Sequence, residues 1–282
     1  MLLATLLLSA APLPSPQDPP NRRAEVRARY EALAGAQDPD GLAELWGKNR
    51  GLVLQTIDAD LEGSLALWEA APEAPPTEEI RALQERALFG ARVASRHFRE
   101  PIFLDYAASF VGWDEAQRAA FRAGQAVYSR AVQELEAGNH ELALEAGRET
   151  VERAMALGDW WGTAMGHRAA GEAARHLGWF EDALRSFSLA RQIDHALGLE
   201  HSEMRDLRGM LAAARADERW LRARVTAEAL ADAARAFEDD EVLREALEAK
   251  AAVEEALGLA KEAEETREQL EALGAVEGGE DG

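Results

Sequence analysis

The sequence predicts an all-α protein: an α–α solenoid of helical hairpins preceded by an irregular helical region. Three observations lead there. Alanine recurs at a forty-residue step, at Ala143, Ala183, Ala223 and Ala263, and a second set keeps that step at Ala131, Gly171, Leu211 and Ala251. Glycine stands five residues ahead of three of the first alanines, at Gly138, Gly178 and Gly258, with Glu218 in the third copy. Alanine, leucine, glutamate and arginine dominate the second half, and alternating extended runs are missing. A period of this length marks an array in which each hairpin buries its apolar face against the next. The composition favours helix over sheet.

The elements follow in order. Arg22 to Ala34 reads as a first helix ending near Gly35, and Asp38-Pro39-Asp40-Gly41 as a turn. Leu42 to Ala70 reads as one or two helices with weak points at Gly47 and Gly51, closed by a stiff loop at Pro72, Pro75 and Pro76. Thr77 caps the next helix, whose first turn holds Glu78 and Glu79 at the positive end of the dipole, and which runs to about Phe98. Pro101 suits the first turn of a short helix ending near Gly112. Asp114 with Gln117 forms a capping box for the helix that opens the repeats. In the second copy the first helix covers about Trp161 to Leu177 and Gly178 turns the chain. Ala183, Leu184, Phe187, Ala190 and Ile193 then form the apolar stripe of the second helix. Asp159, Ser202 and Asp239 or Asp240 are candidate caps for the helices opening later copies.

Composition narrows the function. The net charge of −21 over 282 residues repels phosphate backbones and anionic lipid, so nucleic acid is not an expected partner. There is no cysteine, which excludes disulfides, thiolate nucleophiles and cysteine-based metal sites. Lysine occurs only at Lys48, Lys250 and Lys261, and the preference for arginine fits a GC-rich bacterial genome. Residues 1–11, MLLATLLLSAA, read as a short secretory signal with a small-residue cleavage site, too short to span a bilayer. Periplasmic or secreted placement is therefore expected; a cytoplasmic protein with a greasy N-terminus is the other reading. The expected organisation is a signal and proline-rich spacer at 1–20, a helical region of no recognised family at 21–111, the repeats at 112–275 and an acidic, glycine-rich tail at 276–282.

From about Ala119 to Leu273 the chain resembles the tetratricopeptide repeat in its longer, forty-residue form. The stretch Gly166 to Leu184 carries the resemblance, with Gly171, Phe180, Ala183, Phe187 and Ala190 at the family's packing positions. Copy three departs from the pattern at Leu211 and at Asp217-Glu218. The resemblance implies a right-handed solenoid whose concave face, lined by the first helix of each hairpin, holds a protein or peptide without catalysis. Projected onto that face, copy one presents Gln125, Tyr128, Val132 and Leu135. Copy two presents Met165, Arg168, Glu172, Arg175 and His176, and copy three Arg205, Arg208, Ala212 and Arg215. Copy four turns acidic at Glu245, Glu248 and Glu255. Five arginines in two adjacent rows suit an acidic or C-terminal segment; the bland alternative is a solvated face whose arginines pair with neighbouring acids. Glu172 and Gly209 stand where the family's two-carboxylate clamp needs amides.

Asp58 to Glu69 places Asp58, Asp60, Glu62 and Glu69 at calcium-loop spacing, with Gly63 at the sixth position. Leu54, Ile57, Leu61, Leu65 and Trp68 form an unbroken helical stripe through the same residues. The reading adopted is a helix with its acids in water. No cofactor is expected. The six histidines fit no metalloprotease pattern, and phosphate-binding glycine loops and a nucleophile elbow are missing. The expectation is a non-catalytic binding scaffold. An architectural subunit, or a ligand, metal or enzymatic site within 21–111, are the alternatives.

Overall fold

The computed structural model describes residues 20–71 and 76–277. These residues form thirteen α-helices, one short 3-10 turn and no strand. The signal reading of 1–20 and the prolines Pro72 and Pro75 lie outside the described residues, except for Pro20, as does the tail from residue 278.

The first five helices are α1 (Pro20–Gly35), α2 (Pro39–Lys48), α3 (Val53–Ala70), α4 (Glu78–Phe98) and α5 (Ile102–Gly112). Asp38-Pro39-Asp40-Gly41 is the start of α2 and not a free turn. The Asp38 side chain accepts the Gly41 N–H at 3.0 Å, and Leu42 and Trp46, both fully buried, pull the segment into helix. The Thr77 cap and the Asp114–Gln117 capping box form as expected. Tyr30, Trp46, Leu54, Ile57, Leu61 and Phe103 anchor an aromatic-rich core.

Eight helices follow as four hairpins: α6 (Glu115–Glu136) with α7 (His140–Leu157), α8 (Trp160–His176) with α9 (Phe180–Leu197), α10 (Glu200–Ala216) with α11 (Trp220–Ala236), and α12 (Asp240–Ala256) with α13 (Ala260–Glu277). Each helix packs on the one before and the one after, which makes an all-α solenoid. Ala143, Ala183, Ala223 and Ala263 are all fully buried. Each is the fourth residue of its helix, and each donates its N–H to the carbonyl just before that helix, at 2.9–3.0 Å. The forty-residue step is thus one environment built four times. At Gly147 an added Cβ would lie 2.8 Å from the Ala170 backbone nitrogen, so only glycine lets α7 and α8 approach there. Gly171 and Gly209 instead leave room for the Phe187 ring between α8 and α10.

Ser202 does not cap. It lies inside α10, whose cap position is Leu199 without a side-chain bond; Asp159 and Asp239 do cap, accepting from Gly162 and Val242. Each of the seven turns within and between the hairpins takes one left-handed residue. Gly138, Gly158, Gly178, Gly198 and Gly258 fill five, while Glu218 and Glu238 adopt φ of +53° and +55°. An L residue in that region costs about 1–2 kcal/mol and glycine returns part of this as unfolded-state entropy. Glu218→Gly and Glu238→Gly are each expected to stabilise by about 0.5–1 kcal/mol in urea denaturation. A loss of stability in either would contradict this turn geometry.

The N-terminal helices do more than close the first end of the array. They run along its edge, covering the turns between hairpins: Leu157, Leu197 and Leu199 belong to the N-terminal core. Trp113 donates its indole N–H to the Leu157 carbonyl at 2.9 Å, and Arg50 reaches the His195 carbonyl at 3.2 Å. Along α6, Arg122 pairs with Glu62 and Glu69 of α3, and Arg118 lies over the Trp68 ring.

Candidate ligand-binding face

The first helices of the hairpins, α6, α8, α10 and α12, bury Ala131, Gly171, Leu211 and Ala251 toward their partners. That fixes which side remains open. On α10 the open side carries the exposed residues Arg205, Ala212 and Arg215.

Row one is largely occupied. Gln125 donates to Glu62 of α3 at 3.1 Å. Tyr128 and Leu135 are half-buried against Ala131, Ala146 and Ala169, and Val132 is half-buried beside them in sequence.

Row two satisfies itself. The Arg168 side chain is only 12% exposed. Its Nε donates to Asp206 at 2.7 Å and its Nη2 to Asp194, two carboxylates with no meaningful exposure. Burial raises the proton affinity of both acids, and the guanidinium opposes it. Two buried carboxylates thus share one guanidinium, and burial holds both above the ordinary carboxyl range. Arg175 donates to Glu172, whose carboxyl is held below its usual range despite partial burial. His176 lies 3.2 Å from Glu172 and stacks on His140, the ring centroids 4.3 Å apart. Arg168 therefore joins α8, α9 and α10, and does not reach into solvent as the projection had it.

Row three divides. Arg208 reaches across to Glu245 of row four, its Nε 2.6 Å from the carboxylate. Arg205 and Arg215 are exposed and make no ion pair among the described residues. Arg215 stands at the rim of an open recess of about 490 Å³ between α10 and α12, whose walls are Ala212, Ala216, Ala252 and Ala256 with Val253 and Trp220. The alanines create it, since larger side chains at those positions would fill the space between adjacent hairpins. Val253 was not singled out in the sequence.

Asp58 to Glu69 is continuous helix within α3. Its acids are not all in water. Asp60 is fully buried and accepts from Arg27, from Arg86 at 2.6 and 2.7 Å and from the Tyr30 hydroxyl at 3.0 Å. Asp58 accepts from Tyr106 at 2.6 Å, while Glu62 and Glu69 pair with Arg122. The expected solvation failed because a second layer, α1, α4 and α5, covers the polar side of α3 as well as its apolar stripe. Among the described residues no group of three or more potential ligands is arranged to hold a metal ion.

The chain matches no protein-family model, and no curated protein is similar to it in sequence. The fold alone sets the class: an all-α helical-repeat protein. Among the described residues no helix is long and apolar enough to cross a membrane.

Proposed function

We propose that this protein is a non-catalytic binding scaffold of the tetratricopeptide-repeat kind, exported to the bacterial envelope, whose first-helix face receives a protein or peptide segment. The recess between α10 and α12 carries the reading. It is walled mainly by alanine, valine and tryptophan side chains, open along the array and edged by Arg215, an exposed cation without an ion pair among the described residues, on a chain of net charge −21. Arg205 lies two to three turns earlier on the same helix face. Such a surface suits an extended segment with a small apolar anchor and a carboxylate on either side. The opposite signs of the chain's bulk and of this row would favour docking in one register.

Two observations weigh against the alternatives. At one convergence of polar groups in 21–111, Arg27, Arg86 and Tyr30 all donate to Asp60 and meet its demand in full, and at the other Tyr106 donates to Asp58. The last helix exposes Glu264, Glu265, Glu268 and Glu271, a solvated surface unsuited to end-to-end assembly.

The test is affinity capture with residues 21–282 and mass spectrometry, beside Arg205→Glu/Arg215→Glu. Two exposed charge-assisted contacts of about 1 kcal/mol each predict a loss of tenfold or more in partner affinity. Arg215→Glu alone should unfold at the wild-type urea midpoint, because Arg215 is part of no packed network, whereas Arg205 also stabilises the buried Asp206 carboxylate. Equal capture by both proteins would refute the use of this face.

A further inference from the structure

The hairpins also have an outer face, formed by the second helices, and copy three breaks its pattern. At two equivalent exposed positions copy one carries Glu141 and Glu145, copy two Glu181 and Arg185, and copy four Lys261 and Glu265. Copy three carries Leu221 and Val225, which are 71% and 69% exposed. Three of four copies thus keep charge where the helix meets water, and α11 alone presents two large aliphatic side chains one turn apart. Nothing in the array needs them: their helix already buries Ala223, Ala227, Leu230 and Ala231 on its inner side.

The charges flanking this patch say what covers it. Arg222 precedes Val225 by three residues and Glu228 follows it by three, so all three share one face. Arg222 is exposed and makes no ion pair among the described residues. Glu228 is 54% exposed and forms a long ion pair with Lys250 at 3.8 Å, which leaves its outer side open to a second cation. A two-fold axis through Val225, perpendicular to the helix, brings a second α11 alongside in antiparallel sense. It sets Arg222 of each copy opposite Glu228 of the other, twice over. It also sets Leu221 of each against the small Ala229 of the other, and the two Val225 side chains against one another. Such a surface is self-complementary in charge and in size, as an isologous contact requires. At the rim Glu218 faces Asp232, a like-charged pair left in water.

We propose that the protein self-associates through α11, as a two-fold antiparallel helix pair centred on Val225. This contact uses the side of the hairpins opposite the proposed ligand face, so a dimer leaves both ligand faces open and doubles the valency toward a multivalent partner. One helix pair is a small interface, so the dimer is weak and concentration-dependent.

Sedimentation equilibrium of the full chain over a wide concentration range tests it. A reversible monomer–dimer equilibrium is expected. Val225→Glu should weaken it at least tenfold by setting two carboxylates against each other at the axis. Arg222→Glu should weaken it at least fivefold, and Arg222→Glu/Glu228→Arg should restore it to within about twofold. All three sites are exposed, so circular dichroism should show unchanged helicity. A monomer at every concentration, a dimer indifferent to Val225→Glu, or a charge swap that fails to restore association would each overturn the proposal.

Discussion

Arg168→Met is expected to destabilise the protein by about 3–5 kcal/mol at neutral pH, the usual loss when one partner of a buried ion network is removed. The argument runs from geometry. Among the described residues Arg168 is the cation that ion-pairs with Asp194 and Asp206, which sit on successive helices with their side chains almost wholly out of solvent. With methionine the stem still fills its space, so the loss reports charge and hydrogen bonding more than volume. Two carboxylates then remain buried beside each other, and one Asp194 oxygen already has no hydrogen-bond partner in the intact protein. Acid should rescue the variant in part. Burial raises both carboxyls above the ordinary range, so both take up protons as pH falls, and protonated carboxyls need no counter-ion. The deficit should therefore shrink between pH 7 and pH 5, measured by urea denaturation of both proteins across that range. A loss under 1 kcal/mol at pH 7 would show that the triad does not hold α8, α9 and α10 together. The same reasoning separates Arg168 from Arg215, whose reversal should change binding and leave the fold alone.

Why Arg168 escaped the sequence reading is instructive. Helix projection places it on the open side of α8 because its register partners, Tyr128, Arg208 and Glu248, are there. Its acidic partners lie 26 and 38 residues along the chain, beyond any local pattern. A signal did exist. In forty-residue register Asp194 replaces Ala154 and Ala234, and Asp206 replaces Gly166 and Ala246. An acid at a position that is small and buried in the other copies must bring its own counter-charge, so comparison among copies would have located the network. The same comparison isolates Leu221 and Val225. By contrast, the Asp114–Gln117 box, the Thr77 cap and the helix through Asp58–Glu69 were readable because each depends on contacts within a few residues. The recess beside Arg215 was half readable. The row of arginines marked the face, but the cavity comes from alanines on α10 and α12 that look like ordinary helix formers until the hairpins stack.

Asp58→Asn is expected to stabilise the protein at pH 8 and to do nothing at pH 4. Asp58 sits on the seam between the N-terminal helices and the array. The Tyr106 hydroxyl donates to it, and Glu62, Arg122 and the capping residue Asp159 surround it. Burial pushes its carboxyl up to about 7; Glu62 and Asp159 add to the rise, while Tyr106 and Arg122 oppose it. Asp159 itself is raised to about 6, again by burial first. The sign follows from proton counting. Between the unfolded value near 4 and the folded value near 7 the native protein binds the extra proton. The stability contributed by that proton is complete below the lower value and is lost as pH rises through the upper one. Asparagine keeps an acceptor for Tyr106 and never ionises, so it removes the loss. At about 1.4 kcal/mol per unit, the variant should gain roughly 2–4 kcal/mol over the parent at pH 8, after relaxation of the site. The gain should fall away toward pH 4, where both side chains are neutral. Paired urea titrations at pH 4, 6 and 8 measure it as a difference, which cancels the other acids on the chain. A gain that is flat with pH would mean that Asp58 ionises in the folded protein as it does in water, and that the seam is open to solvent.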